Sequence, residues 1–196
     1  MKTVVVTGAA KSGTTMTAGV CQLLGFDMIY QPGEWEDYIE DLELIKALSE
    51  NKSIEPLIKE RNEFEMWGIK HPDLFSKPSL IDKLMPHLTD PHLIVIWRDI
   101  AAITENRVKG LNSTHRRELQ EANEILQDQF NFLNWYSSNF NIKAKFYSYE
   151  KALLAPARFG YEMAKFLGVT PEEEFLQNCD NFISAGRPYQ NLDIAL

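Results

Sequence analysis

The sequence predicts an α/β protein: a three-layer sandwich with a mostly parallel central sheet and helices on both faces. Three observations carry that expectation. Residues 3–7 and 92–97 are short, continuous, largely β-branched apolar runs. A strand covered on both faces reads this way, because neither of its sides has to be polar. Segments of helical period separate the strand-like runs. The two kinds of segment alternate along the chain, the order that lays crossover helices over parallel strands.

The elements follow in order. Thr3-Val4-Val5-Val6-Thr7 is the first buried strand, and residues 8–13 form a glycine-bounded turn. A helix is predicted over 13–24, closed by Gly25, since glycine accepts the left-handed conformation that ends helices. Residues 26–30 read as a second strand, and 36–50 and 53–64 as helices. Trp67-Gly68-Ile69-Lys70 is a short strand that stops before His71-Pro72. Residues 92–97 form the clearest further strand, 98–109 a helix. An amphipathic helix is predicted over 116–139, with Leu119, Ala122, Leu126, Phe130, Leu133 and Phe140 as its apolar face. Residues 145–149 alternate as a strand. The last helix has Pro156 near its start and Gly168 just past its end, the usual asymmetry. No repeat, low-complexity stretch or flexible linker interrupts the chain, so residues 1–196 are expected to form one domain.

Composition narrows the function. The net charge is −8, which argues against a nucleic-acid partner, because such binding needs a basic surface. The charge is uneven. Residues 34–65 hold eleven acids and four basic residues, whereas 98–117 hold five basic residues and two acids. A local basic segment in an acidic protein can hold a small anion. No apolar run is long enough to span a bilayer, and no signal peptide is visible, so no membrane partner is expected. Cys21 and Cys179 form neither a disulfide framework nor a metal-ligand spacing. A reducing, cytoplasmic location is expected.

The loop after the first strand carries the chemistry. Strand, glycine turn and helix together present successive backbone N–H groups to an anion, and the helix dipole adds about half a positive charge there. Gly8 and Gly13 have the spacing of the nucleotide-kinase pattern G-x-x-x-x-G-K-[ST]. The lysine does not: Thr14 stands in its place, and Lys11 lies two residues before the second glycine.

Ala10-Lys11-Ser12-Gly13-Thr14-Thr15 resembles the 5′-phosphosulfate loop, P-[KR]-S-G-T-[ST], of sulfotransferases that use 3′-phosphoadenosine 5′-phosphosulfate (PAPS). Further segments resemble the same family in the same order. They are Trp35-Glu36-Asp37, Trp67-Gly68-Ile69-Lys70-His71-Pro72, Ile94-Val95-Ile96-Trp97-Arg98-Asp99, Tyr149-Glu150 through Ala155-Pro156, and Phe166-Leu167-Gly168. The departures are Ala10 for the loop proline, Ile100 for the proline after Arg98-Asp99, Asn106 for a serine eight residues past the arginine, and Lys151 for an aspartate.

The resemblance implies a P-loop-type fold and sulfuryl transfer to a hydroxyl or amine of a small-molecule or glycan acceptor. It implies that Lys11 stabilises the leaving charge, and that Ser12, Gly13, Thr14 and Thr15 hold the 5′-phosphate. Arg98 and Asn106 are then expected at the 3′-phosphate, and no metal is implied. Glu36 is the expected general base, with Glu34, Glu40 and His71 as rivals. Two other readings stay open: a nucleotide or metabolite kinase of the same fold, and a nucleotide-binding module without catalysis.

Overall fold

The computed structural model describes residues 1–29, 40–109, 114–139 and 141–184. Five strands, β1 (Lys2–Thr7), β2 (Asp27–Met28), β3 (Met66–Lys70), β4 (Pro91–Trp97) and β5 (Ala144–Ser148), form one sheet in the order β2-β3-β1-β4-β5. Every pairing is parallel. The first strand of the chain is thus the central one. Val4 pairs with Gly68 on one side and His92 on the other. The order reverses direction at β1, and in such sheets ligands sit beyond the carboxyl ends of the strands at that point.

Alternate residues of the strands feed two cores. Val4, Val6, Ile94 and Ile96 face α1 (Thr14–Leu23), α9 (Pro156–Leu167) and α10 (Glu173–Ser184). Val5, Ile69, Leu93 and Val95 face the other layer. That layer contains α2 (Leu42–Ser49), α3 (Glu55–Arg61), α4 (Asp73–Ser76), α5 (Ser79–Leu84) and α7 (His115–Ser138), with a 3-10 turn at Met85–His87. Two helices follow strand ends directly: α6 (Ile100–Val108) after β4 and α8 (Tyr149–Leu154) after β5. The α/β sandwich with its parallel sheet is the predicted one.

Several elements differ from the sequence expectation. The strand predicted over 26–30 is two residues long within the described chain. The helix predicted over 36–50 is described as α2, capped by the Asp41 carboxylate accepting from the Leu44 N–H; 36–39 lie outside the described residues. The helix predicted over 98–109 begins at Ile100, because Asp99 caps it by accepting from the Ala102 N–H. Arg98 therefore stands just past the end of β4, outside the helix.

The face of α7 is corrected most. Leu119, Leu126, Phe130 and Leu133 are exposed, while Ile125, Gln129 and Phe132 are buried; Phe140 lies outside the described residues. Both stripes have helical period, and the aromatic partners decide between them. Phe132 stacks on Phe75 at 4.6 Å between centroids, and Phe132 and Tyr136 both pack against Phe146 of β5. Sequence reading left residues 73–87 and 173–184 unassigned, and both are largely helical.

Candidate functional site

The loop after β1 occupies the predicted ligand edge. Its path demands glycine twice. A Cβ at Gly8 would collide with the Ile96 carbonyl oxygen of β4, and Gly13 has φ +103° with the Tyr149 ring where a Cβ would go. Lys11 also adopts a left-handed φ of +73°. For a non-glycine residue this costs about 1 kcal/mol or more and persists where the surroundings enforce it. The Ser12 N–H donates to the Ala9 carbonyl at 2.9 Å, tightening the turn. Gly13 caps α1, whose first-turn N–H groups have no acceptor within the helix and face the ligand edge. Ser12 and Thr14 are buried, and Lys11 is exposed.

Two arginines hold the outside of this loop. Arg98 Nη1 donates to the Lys11 carbonyl at 2.9 Å, and its guanidinium lies 4.4 Å over the Tyr149 ring. Arg107 Nε donates to the Ala10 carbonyl at 3.4 Å and pairs through Nη1 with Glu121. Glu150 locks the two strand ends together. Its carboxylate accepts from the Asp99 N–H and the Ser148 hydroxyl, both at 2.9 Å. Burial pushes its pKa up, but these hydrogen bonds, its own N–H and the Arg98 charge outweigh that and leave it low. Tyr149-Glu150 thus positions Arg98 and the loop, a role the sequence suggested only through the motif. Asn106 donates through Nδ2 to the Ala102 carbonyl of its own helix at 2.7 Å. Arg98 at a strand end and Asn106 inside α6 are therefore not brought to one point by the side chains as they stand.

A second cluster lies at the end of β3. Lys70 is 1% exposed, and its ammonium donates to Glu40 at 2.6 Å. His71 Nε2 lies 3.4 Å from the other Glu40 oxygen. The Asp73 N–H donates to His71 Nδ1 at 3.0 Å, which assigns the ring proton to Nε2, facing Glu40. Burial lowers the pKa of Lys70, against the opposing pull of Glu40, and Lys11 is close enough to lower it further. Burial likewise lowers His71. Glu40 owes its position to the next residue: the Asp41 carboxylate is fully buried and takes hydrogen bonds from Arg61 through both oxygens. Of the base candidates, Glu40 and His71 are thus together. Glu34 and Glu36 lie outside the described residues. Sequence reading missed Lys70 as a site residue, although it sits in the quoted Trp67-Gly68-Ile69-Lys70 run, and missed the Asp41–Arg61 pair, which has no local signal.

The donor set fits an anionic nucleotide. Besides the helix N–H groups, the Ser12 hydroxyl and Arg98 Nε are buried polar atoms without a hydrogen-bond partner among the described residues, and both belong to the loop region; Thr3 Oγ1 and Gln22 Oε1 share that state elsewhere. Such orphans call for a ligand or solvent partner.

No protein-family model matches the sequence, and no curated protein matches it. Solved structures do. The sulfotransferase domain of the Synechococcus PCC 7002 olefin synthase superposes with a TM-score of 0.64 at 14% identity, over 91% of this chain and 76% of that one. The sulfotransferase domain of the curacin biosynthetic pathway gives 0.61 at 17% identity, over 90% and 77%. Retinol dehydratase, in complex with androsterone and the inactive cofactor PAP, gives 0.55 at 16% identity, over 94% and 65%. The chain has the sulfotransferase fold.

Proposed function

We propose that the protein transfers a sulfuryl group from PAPS to a hydroxyl or amine of a small-molecule or glycan acceptor. The observation that carries this reading is the loop itself. Its only lysine, Lys11, sits at the turn before the helix in a left-handed conformation, and Thr14 stands where a kinase would have its lysine. Retinol dehydratase, which shares the fold, is described with PAP and androsterone bound, which supports an adenosine bisphosphate cosubstrate and a small acceptor.

In this reading the N–H groups of Gly13, Thr14 and Thr15 and the Ser12 hydroxyl hold the 5′-phosphate end. Lys11 faces the oxygen that leaves the sulfur and stabilises the charge developing there. Arg98 takes the 3′-phosphate through its Nε edge. Asn106, with its amide committed to Ala102, contributes less. The cosubstrate supplies an activated sulfuryl group; the acceptor oxygen bonds to sulfur as the bond to the phosphate oxygen breaks. A general base takes the acceptor proton. Glu36 holds that role on sequence grounds. Glu40 is the described alternative, with Lys70 beside it as a second cation near the transferring group. His71 suits the role less, since its Nδ1 lone pair is occupied and its Nε2 carries the proton.

Thermal-shift titration tests this reading, because a ligand that binds only the folded state raises the melting temperature. Adenosine 3′,5′-bisphosphate should stabilise the protein without added metal, and ³⁵S-PAPS should label an acceptor in a mixed alcohol and amine panel. Stabilisation by Mg²⁺-ATP alone, with none by the bisphosphate, would refute it in favour of a kinase. Bisphosphate binding without transfer to any acceptor would leave a binding module.

A further inference from the structure

We propose that the protein forms a two-fold symmetric homodimer through the outer shoulder of α7, with the two copies of the helix antiparallel. The inference starts from four exposed apolar residues on one helix. Leu119, Leu126, Phe130 and Leu133 are between 46% and 63% exposed. Single exposed leucines are ordinary. These four belong to one narrow stripe: His115, Leu119, Ala122, Leu126, Phe130, Leu133 and Ser137. At 100° per residue the stripe stays within an arc of about 80°, and it runs for about 33 Å.

The spacing of the stripe is symmetric. Its steps are 4, 3, 4, 4, 3 and 4 residues, which read the same in both directions about Leu126. A second copy laid antiparallel on that centre therefore meets it member for member. Leu126 faces the partner's Leu126, and Leu119 faces the partner's Leu133. Ala122 faces the partner's Phe130, a small side chain opposite a large one. Steps of three and four residues, here in the 4-3-4 order of an 11-residue repeat on either side of Leu126, keep the stripe on one side of a nearly straight helix. A surface that is its own complement is what an isologous contact requires.

Charge supports the same occupant and the same direction. The chain carries a net charge of −8, so two copies repel in general. The C-terminal part of this helix is an exception: between Asn123 and Ser138, the exposed positions of α7 include one charge, Glu124, among asparagines, glutamine, serines and the apolar residues, whereas the charges of α7's first two turns lie beside or behind the stripe. Depletion of charge is the compositional mark of an interface core. Arg116 and Arg117 stand in the first turn of α7, the wrong end of their own helix dipole. Arg116 flanks the stripe, about 80° from its centre, and in the antiparallel pair lies towards the last turn of the partner's helix, where the exposed carbonyls favour cations, whereas Arg117 is on the far side of α7.

Size sets the affinity. A strip of that length and one helix wide covers roughly 330 Å² in projection. Leu133 also lines a groove of about 750 Å³ beside β5 together with Leu154, which is 84% exposed. That groove extends the contact towards the roughly 1,000 Å² in total that a specific interface needs. The dimer is therefore weak and concentration-dependent.

Sedimentation equilibrium of the full chain tests it over about 5 to 500 µM, the range in which an interface this small associates. The mass should climb from that of one chain towards twice that value. Phe130→Glu should remain a monomer throughout, with an unchanged circular-dichroism spectrum. Oxidative cross-linking reads the geometry, since Cys21 and Cys179 are buried and give no background. Leu126→Cys should cross-link to itself. Leu119→Cys should cross-link to Leu133→Cys in a mixture but not to itself. A wild-type chain that stays monomeric at the highest concentration overturns the proposal, as does a dimer that survives Phe130→Glu. Leu119→Cys self-linking as readily as Leu126→Cys overturns the antiparallel arrangement.

Discussion

The two ends of the candidate site handle charge in opposite ways. At the loop end, the cations are half-buried and lean on backbone carbonyls: Arg98 on Lys11 and Arg107 on Ala10. At the β3 end, the cation is inside. Lys70 is almost wholly buried, and Glu40 meets it at 2.6 Å, opposing the burial that lowers its pKa. The first arrangement leaves donor capacity for an incoming anion. The second fixes charges in place before any ligand arrives, and the protein bears the desolvation itself. A positioned charge and a receptive one thus require different surroundings, and the same five-stranded edge supplies both.

That contrast can be broken from either side. The largest effect is expected at Lys70. Lys70→Met leaves the largely buried Glu40 carboxylate without its cation, with only the His71 N–H near it, and should destabilise the fold by about 3–5 kcal/mol in urea unfolding. The double variant Lys70→Met/Glu40→Gln should recover much of this, because the uncompensated charge is gone. Lys11→Ala should do the reverse: unfolding within about 0.5 kcal/mol of wild type, since an exposed loop lysine supports no core. Its cost should be in turnover, about 2–4 kcal/mol of barrier, read as kcat in a PAPS-dependent assay.

Arg98 lies between these cases, because it serves both the loop and the proposed phosphate. Arg98→Ala should weaken adenosine 3′,5′-bisphosphate by about 2 kcal/mol in calorimetry. Adenosine 5′-phosphate should lose less, only the part that comes from a loosened Lys11 carbonyl. Equal losses would make the arginine purely a loop support.

Acid should act on the buried histidines. Burial depresses the pKa of His71 and of His92 below the ordinary value near 6.5. The unfolded chain then binds more protons, so stability is full above about pH 6.5 and falls as the pH drops below it. The slope is at most about 1.4 kcal/mol per pH unit for each histidine. His71→Asn should flatten part of that decline and leave the His92 part. The smallest effect is expected at Asn106. Asn106→Ala should change bisphosphate affinity by less than about 0.5 kcal/mol, since its amide already bonds the Ala102 carbonyl; a larger loss would restore it to the 3′-phosphate site.

The loop end was legible in the sequence because its signals are local. Gly8, Lys11 and Gly13 lie within six residues, and the path of the backbone there follows from glycine chemistry alone. The buried strands β1 and β4 were legible for the same reason: each is a short uninterrupted apolar run. The β3 end was only half legible. Lys70 and His71 stand in a recognisable strand end, but Glu40 is thirty residues away and its seat depends on Arg61 reaching Asp41. Sequence period could not orient α7 either. Its two apolar stripes are equally periodic, and the ring of Phe75, brought in by a helix the sequence did not announce, selects Phe132 for the core.

The central place of β1 has a consequence for how the chain comes into being. This strand is made before both of its neighbours, β3 and β4, and Val4 waits for Gly68 on one side and His92 on the other. Its three valines, all fully enclosed in the finished protein, stay without a sheet until translation has passed Trp97. Parallel pairings over such separations are slow to form, because the loop must close before any contact rewards it. For that interval the nascent chain displays an apolar strand with neither of its partners. The strand is then most exposed to aggregation before β3 and β4 are made, and a holding chaperone that binds it acts at that stage.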